Sequence, residues 1–259
     1  MTTLTKLRCA TWNVHRGRGA HGRVEPARAT NAIETDLGSL SLDVLALQEA
    51  DEEIRPHRRI FDAGQIASVT GLKYLHNEDR LRWSRDSDGF LGTVLFINPT
   101  LRIVHSDVID LPGHCHRGAV SVEIDTGSTR FRIMSTHLSL SQPLRIVQMR
   151  IIGQYLRRRP AMQTVLLGDL NEWRPWGGLM FNGRIVGTRF RGPSVPTYPS
   201  GRPLLSLDRI MTDRSRCVDQ VRTIAGPRVV TASDHLPLFA EVTISDADRA
   251  GGAASDTAV

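Results

Sequence analysis

Several apolar runs in this 259-residue chain stop at a polar side chain able to bind a metal ion or a phosphate. These are Asn13, Glu49, His137, Asp169 with Asn171, and Asp208, and Asp234-His235 stands just before a last apolar run. Asp169 and Asn171 are two apart, so in an extended segment they point the same way. A carboxylate beside an amide can deprotonate and hold a water molecule; the structural alternative is an Asx-turn after the strand. Glu49 follows an uninterrupted apolar stretch, where a carboxylate is costly unless paired or cation-bound. A hard oxygen ligand suits Mg²⁺ or Mn²⁺, and a salt bridge to one of the many arginines is the other reading. Asp234-His235 sets an acid beside an imidazole, and both serve one site only where the chain turns. Pro237 allows such a turn. Asp208 is a candidate to hold the His235 tautomer and raise its pKa, so that the ring meets a phosphate oxygen as a cation.

The elements that must position these residues follow from periodicity. Leu7–Asn13 reads as a strand, and Pro26 opens a helix whose inward face is Ile33, Leu37 and Leu40. Residues 43–49 form a buried strand, 61–71 a short helix and 78–89 a charged loop. Residues 92–97, 101–109, 118–125 and 130–137 read as strands. Gln142–Arg158 is the clearest helix, with Leu144, Val147, Ile151 and Tyr155 as its apolar stripe. Residues 164–168 form a strand running into Asp169; 173–203 are loops rich in Gly, Pro and Arg; 205–211, 218–224 and 237–244 are closing strands. This is an α/β pattern with a mixed sheet, whose strand ends line a ligand crevice. A single domain is expected over 1–245, followed by a disordered tail over 246–259.

The net charge of +6 is almost all arginine, which suits a phosphate-bearing partner, although a preference for arginine codons also produces it. Three widely spaced cysteines argue against a disulfide scaffold. No apolar run can span a bilayer, and the first strand leaves no room for a signal region. A cytoplasmic, monomeric protein without stable membrane insertion is the expectation. His114-Cys115-His116 lacks the usual spacing of a soft-metal site. The Arg80–Arg85 loop interleaves arginine with Trp83, as a nucleic-acid or headgroup contact does, or is a solvated loop. Trp173 and Trp176 either line a substrate entrance or anchor the long loop.

Six blocks together resemble the endonuclease/exonuclease/phosphatase superfamily: Thr11-Trp-Asn-Val14, Leu45-Ala-Leu-Gln-Glu49, Ser135-Thr-His-Leu138, Leu166-Leu-Gly-Asp-Leu-Asn171, Leu207-Asp-Arg-Ile210 and Ala232-Ser-Asp-His-Leu236. They occur in the family's order across residues 7–244. The resemblance implies a four-layer α/β sandwich of DNase I-like type, with two central mixed β-sheets flanked by helices. It implies a Mg²⁺-dependent (or Mn²⁺-dependent) hydrolase of phosphoesters, most naturally phosphodiesters, acting on nucleic acid or a phospholipid headgroup. Glu49 would then hold the metal with Asn13 and Asp234 close to it. Asp169 would activate water beside Asn171. His235, supported by Asp208, would contact the phosphate, and His137 would stabilise the phosphate or assist the leaving group. Arg117 resembles the family's phosphate-contacting arginine. His15 and His137 depart from the abasic-site repair members, which carry Asp and Tyr there. Thr136–Leu140, Asn171–Trp173 and Arg202–Asp208 look more like bacterial members encoded beside cardiolipin synthases. A non-catalytic phosphate-binding module on the same fold is the alternative.

Overall fold

The computed structural model describes residues 5–19, 22–113, 117–174 and 176–245. The expected tail and the His114-Cys115-His116 segment lie outside the described residues. Among those described, eleven strands form two sheets. The first has six strands: β1 (Thr5–Asn13), β2 (Val44–Gln48), β3 (Lys73–Tyr74), β4 (Val94–Ile97), β10 (Val218–Thr223) and β11 (Leu238–Ile244), in the order β10-β11-β1-β2-β4-β3. The second has β5 (Arg102–Leu111), β6 (Arg117–Asp125), β7 (Arg130–His137), β8 (Gln163–Asp169) and β9 (Asp208–Thr212), in sequence order. The helices are α1 (Pro26–Ala32), α2 (Ala63–Thr70), α3 (Gln142–Arg158), α4 (Gly183–Val186) and α5 (Pro227–Ala232).

Alternation along the central strands builds four layers. Leu7, Cys9, Val44 and Ala46 face Val122, Ile133, Val165 and Leu167 of the other sheet. Their neighbours Ala10, Trp12, Leu45 and Leu47 point outward onto Ile33, Leu37, Ile66 and Val229 of the helical layer. Met134 and Leu166 likewise meet Met149, Ile152 and Val186 behind the second sheet. Strands covered on both faces read as unbroken apolar runs, which is why β2 and β8 are so plain in the sequence.

Two parallel pairs decide where the chemistry goes. β1 pairs β2 in parallel across the α1 connection, and β7 pairs β8 in parallel across α3. The C-terminal ends of all four strands therefore lie at one end of the sandwich. Asp208 departs from expectation, because it opens β9 instead of ending a strand. β9 runs antiparallel to β8, so Asp208 still sits opposite Asp169.

The α3 stripe also needs correction. Val147 is 45% exposed, and the buried positions are Arg145, Gln148, Met149, Ile152 and Gly153. The helix is turned because Gly153 packs against the Val186 carbonyl, where a Cβ would approach to 2.2 Å. Gln148 meanwhile accepts from Ser139 N–H and donates to the Pro112 carbonyl. The 78–89 loop is structural. Arg80 donates to the Ser106 carbonyl and hydroxyl, and Trp83 packs edge-on against Phe90. β3 escaped the sequence reading because two residues carry no periodicity.

His76 pins the first sheet to this loop. It lies 2.6 Å from the Leu81 carbonyl through Nδ1 and accepts the Leu95 N–H at Nε2. Burial lowers its pKa from 6.5 to about 4. The unfolded chain thus takes up a proton between these values while the native ring stays neutral, so stability falls as pH falls through that window. The contribution is about 3 kcal/mol. Urea unfolding at pH 7 and pH 4.5 is expected to show a clearly shallower loss of stability for His76→Gln than for the wild type. Equal slopes would show that another group carries the dependence.

Candidate active site

A cavity of about 410 Å³ opens where the strand ends converge. Eight of the nine sequence-predicted site residues line it: Asn13, Glu49, Arg117, His137, Asp169, Asn171, Asp234 and His235. Asp208 stands behind them, fully buried, and reaches the cavity only through His235.

Asp169 and Asn171 take the Asx-turn reading of their spacing, and the segment is not extended. The Asn171 N–H donates to Asp169 Oδ1 at 2.9 Å, closing an Asx-turn, and Asn171 takes a left-handed backbone (φ 51°). That turn swings the Asn171 amide to the Leu138 carbonyl at 2.9 Å and to His137 Nε2 at 3.2 Å. Asn13 Nδ2 donates to Asp169 Oδ2 at 2.9 Å. Burial raises the Asp169 pKa to about 6, the neighbouring His235 working against that rise. Such a carboxylate can exchange a proton near neutral pH.

His235 is held from every side. Its Nδ1 lies 2.8 Å from Asp208 Oδ2, which also accepts the Thr197 hydroxyl at 2.6 Å. Its N–H donates to the Ser233 hydroxyl, its carbonyl accepts the Trp12 indole N–H, and Tyr198 packs against the ring. Burial alone would lower its pKa, but Asp208, Asp169 and Asp234 overcome this and push it up to about 10. The ring is an imidazolium at neutral pH, its Nδ1–H donates to Asp208, and Nε2–H is left for the cavity, 3.9 Å from Asp169 Oδ2. His137 is the opposite case. Burial, then Arg117 and His235, lower its pKa well below 6.5, so it is neutral. Its Nε2 lies 3.4 Å from Asp169 Oδ2, and its Nδ1 is 4.0 Å from Glu49.

Two carboxylates, Glu49 and Asp234, stand on the other wall and are the hard oxygen donors there that could hold a divalent cation. Glu49 follows β2 in a left-handed conformation (φ 55°), with Gly92 leaving room beside its Cα. Its Oε2 is salt-bridged to Arg16, the pairing with an arginine that the sequence also allowed, and Oδ1 of Asp234 is paired with His15. The separations are 2.6 Å from Arg16 Nη1 to Glu49 Oε2 and 3.2 Å from His15 Nδ1 to Asp234 Oδ1. Asn13 lines the same cavity, its amide oxygen accepting the His15 N–H at 2.9 Å. Asp169, Asp208 and His235 also bring ligand atoms within 4.8 Å of one another. There His235 Nδ1 is 2.8 Å from Asp208 Oδ2.

The sequence reading missed Arg16 and Arg145, and saw His15 only as a departure. Arg16 follows directly after the Asn13 block, but its pairing depends on a left-handed turn (φ 52°) with no local signature. Arg145, on α3, passes for a solvated helix charge, yet it is buried and donates to the Ser139 and Leu140 carbonyls while pairing with buried Glu172. Arg117 opens β6, is 8% exposed and, among the described residues, leaves its Nε without a hydrogen bond. Trp173 lines the cavity, whereas Trp176 lies in a neighbouring groove.

The family model for the Endonuclease/Exonuclease/phosphatase family matches residues 10–235. The chain belongs to this family. Members of the Endonuclease/Exonuclease/phosphatase family hydrolyse phosphoester bonds and generally use divalent metals. Protein YbhP of Escherichia coli K12 is 30% identical over 116 residues, covering 42% of this chain and 45% of YbhP. The chain thus spans less than half the length of the curated relatives it matches. Among solved structures, a family member from Bacteroides vulgatus superposes with a TM-score of 0.70 at 13% identity, over 93% of this chain and 99% of that one. D. rerio TDP2, complexed with single-strand DNA product, gives 0.64 at 15% identity over 92% and 98%. These likenesses establish the DNase I-like four-layer sandwich. Among the described residues no helix is long and apolar enough to cross a membrane.

Replacing Arg145 with Met removes charge-assisted hydrogen bonds from two loop carbonyls and should cost about 2–3 kcal/mol. Urea denaturation of the purified variant measures it; a loss below about 0.5 kcal/mol would mean that the loop holds itself.

Proposed function

We propose that the chain is a divalent-metal-dependent phosphoesterase acting on phosphodiesters by in-line attack of water. The observation that supports this best is the facing pair Asp169 and His235, a buried base and a permanent cation 3.9 Å apart, in one cavity with a buried arginine. Asp169, fixed by Asn13 and the Asn171 N–H, orients the water and takes its proton. Oxygen bonds to phosphorus, the ester oxygen departs and is protonated by solvent, and Asp169 releases its proton. His235 and Arg117 place positive charge against the phosphoryl oxygens, each such donor being worth roughly 10²–10³ in rate. His137, held neutral, donates a hydrogen bond and does not serve as an acid. Asp208 positions His235. Glu49, Asp234 and Asn13 would hold Mg²⁺ or Mn²⁺, which supplies charge neutralisation at the phosphate and leaving group.

Asp169→Asn and His235→Ala are each expected to lower turnover of bis-p-nitrophenyl phosphate at least about a hundredfold, with the circular dichroism spectrum unchanged. Turnover within a few-fold of wild type would remove that residue from the mechanism.

EDTA should abolish activity, and Mg²⁺ or Mn²⁺ should restore it. Mn²⁺ should also raise the unfolding temperature of the wild type, and raise that of Glu49→Gln less. Full activity in chelator, or an identical Mn²⁺ shift in both proteins, would reject the metal assignment.

A further inference from the structure

Among the described residues, ten large apolar side chains are exposed, and six come from three loops around the cavity. Leu140 (78% exposed), Trp173 and Leu205 line the cavity itself. Trp176 (72%), Leu179 and Leu204 (65%) stand on the same loops. Isolated exposed apolar residues are ordinary, but their concentration around one pocket marks a contact surface.

Trp173, Trp176 and Leu179 are not the buried anchors of their loop. Met180, Val186 and Phe190 anchor it from beneath, buried against α3 and the second sheet. The Phe181 ring packs closely over Gly177, which takes a left-handed backbone (φ 75°). The same stretch is strongly basic. Residues 170–207 hold five arginines (Arg174, Arg184, Arg189, Arg191 and Arg202) and one acid, Glu172. That acid is fully buried and bound by Arg174 and Arg145. Arg184 and Arg189 line a groove of about 650 Å³ with Trp176 and Phe181.

We propose that this apolar, arginine-flanked rim docks the cavity onto an anionic lipid surface, so that the phosphoester is presented from a bilayer. The substrate assignment rests on the phosphoesterase reading above; the docking does not. Tryptophan prefers the membrane interface, leucine enters the acyl boundary, and arginine meets lipid phosphate. Nucleic acid would satisfy the arginines and tryptophans by stacking, but four exposed leucines have nothing to stack on. The contact is peripheral, made by loop tips. Hydrolysis then adds water across one P–O ester bond of a membrane-held phospholipid, leaving a phosphate on one product and a hydroxyl on the other.

The test uses the full chain and the double variant Trp176→Ser/Leu204→Ser, whose side chains lie outside the cavity. Vesicles of phosphatidylcholine, with and without phosphatidylglycerol, are sedimented with each protein. Wild type should pellet with the phosphatidylglycerol vesicles, less so at high salt, and the double variant should bind at least about tenfold more weakly. Both proteins should hydrolyse bis-p-nitrophenyl phosphate equally in Mg²⁺ or Mn²⁺, while only wild type should release product efficiently from the vesicles. Equal pelleting of the two proteins, or no pelleting of wild type, overturns the proposal. So does a loss of single-stranded oligonucleotide binding in the variant with vesicle binding unchanged, or a wild-type dimer that the variant abolishes. Failure on bis-p-nitrophenyl phosphate with vesicle binding intact would sink the hydrolase reading and leave the docking standing.

Discussion

Asp169 and Asp208 face each other across an antiparallel strand pair, both buried, and one imidazolium lies against them. Two like charges in a medium of low dielectric repel strongly and are poorly solvated. His235 relieves that repulsion, and in turn the carboxylates keep it protonated. The arrangement tolerates little displacement. Thr197 fixes Asp208, Asn13 and Asn171 fix Asp169, and Ser233 with Trp12 fixes the His235 backbone. Removing one partner would leave a buried charge unpaired, which costs more than the pair contributes.

This mutual dependence explains the division of labour between two histidines in one cavity. His235 has carboxylates behind it and is a cation; His137 has arginines and a cation beside it and is neutral. The same side chain type is thus a cation in one place and a neutral ring in another. Burial favours the neutral form of both rings; the carboxylates around His235 reverse it, while the cations beside His137 reinforce it.

Strand ends were legible because a carboxylate or amide that closes an unbroken apolar run stands out. Asn13, Glu49 and Asp169 could be read this way, His137 as a polar ring in the same position, and the Asp234-His235 pair as polar residues just ahead of the last strand. Asp208 was read at the correct position and the wrong end of a strand, since nothing local distinguishes a strand that starts at a residue from one that stops near it. Arg145 was invisible because helical periodicity assigns arginine to the wet face, and only the loop carbonyls of Ser139 and Leu140, brought in by tertiary packing, invite it inward. The left-handed turns at His15, Arg16 and Glu49 lack glycine, so no turn signal announced them, whereas the Asx-turn at Asn171 was one of the two readings of its spacing. The 173–203 loops offered no period at all. Their meaning lies in which side chains remain uncovered after folding, a property of the surface that no short window of sequence contains.

The cavity takes one wall from each sheet: Asn13, Glu49 and Asp234 from the six-stranded side, Arg117, His137 and Asp169 from the five-stranded side. The alignment of these walls is therefore set by how Val44 and Ala46 interlock with Val165 and Leu167, deep in the molecule and remote from any ligand. A slip of one sheet over the other by about an ångström would leave a folded protein with its reacting groups out of line, a misplacement able to cost roughly a hundredfold in rate. Turnover in such a molecule is a gauge of interior shear, and pressure or a bulky probe lodged between the sheets should be felt by the chemistry well before the chain begins to unfold.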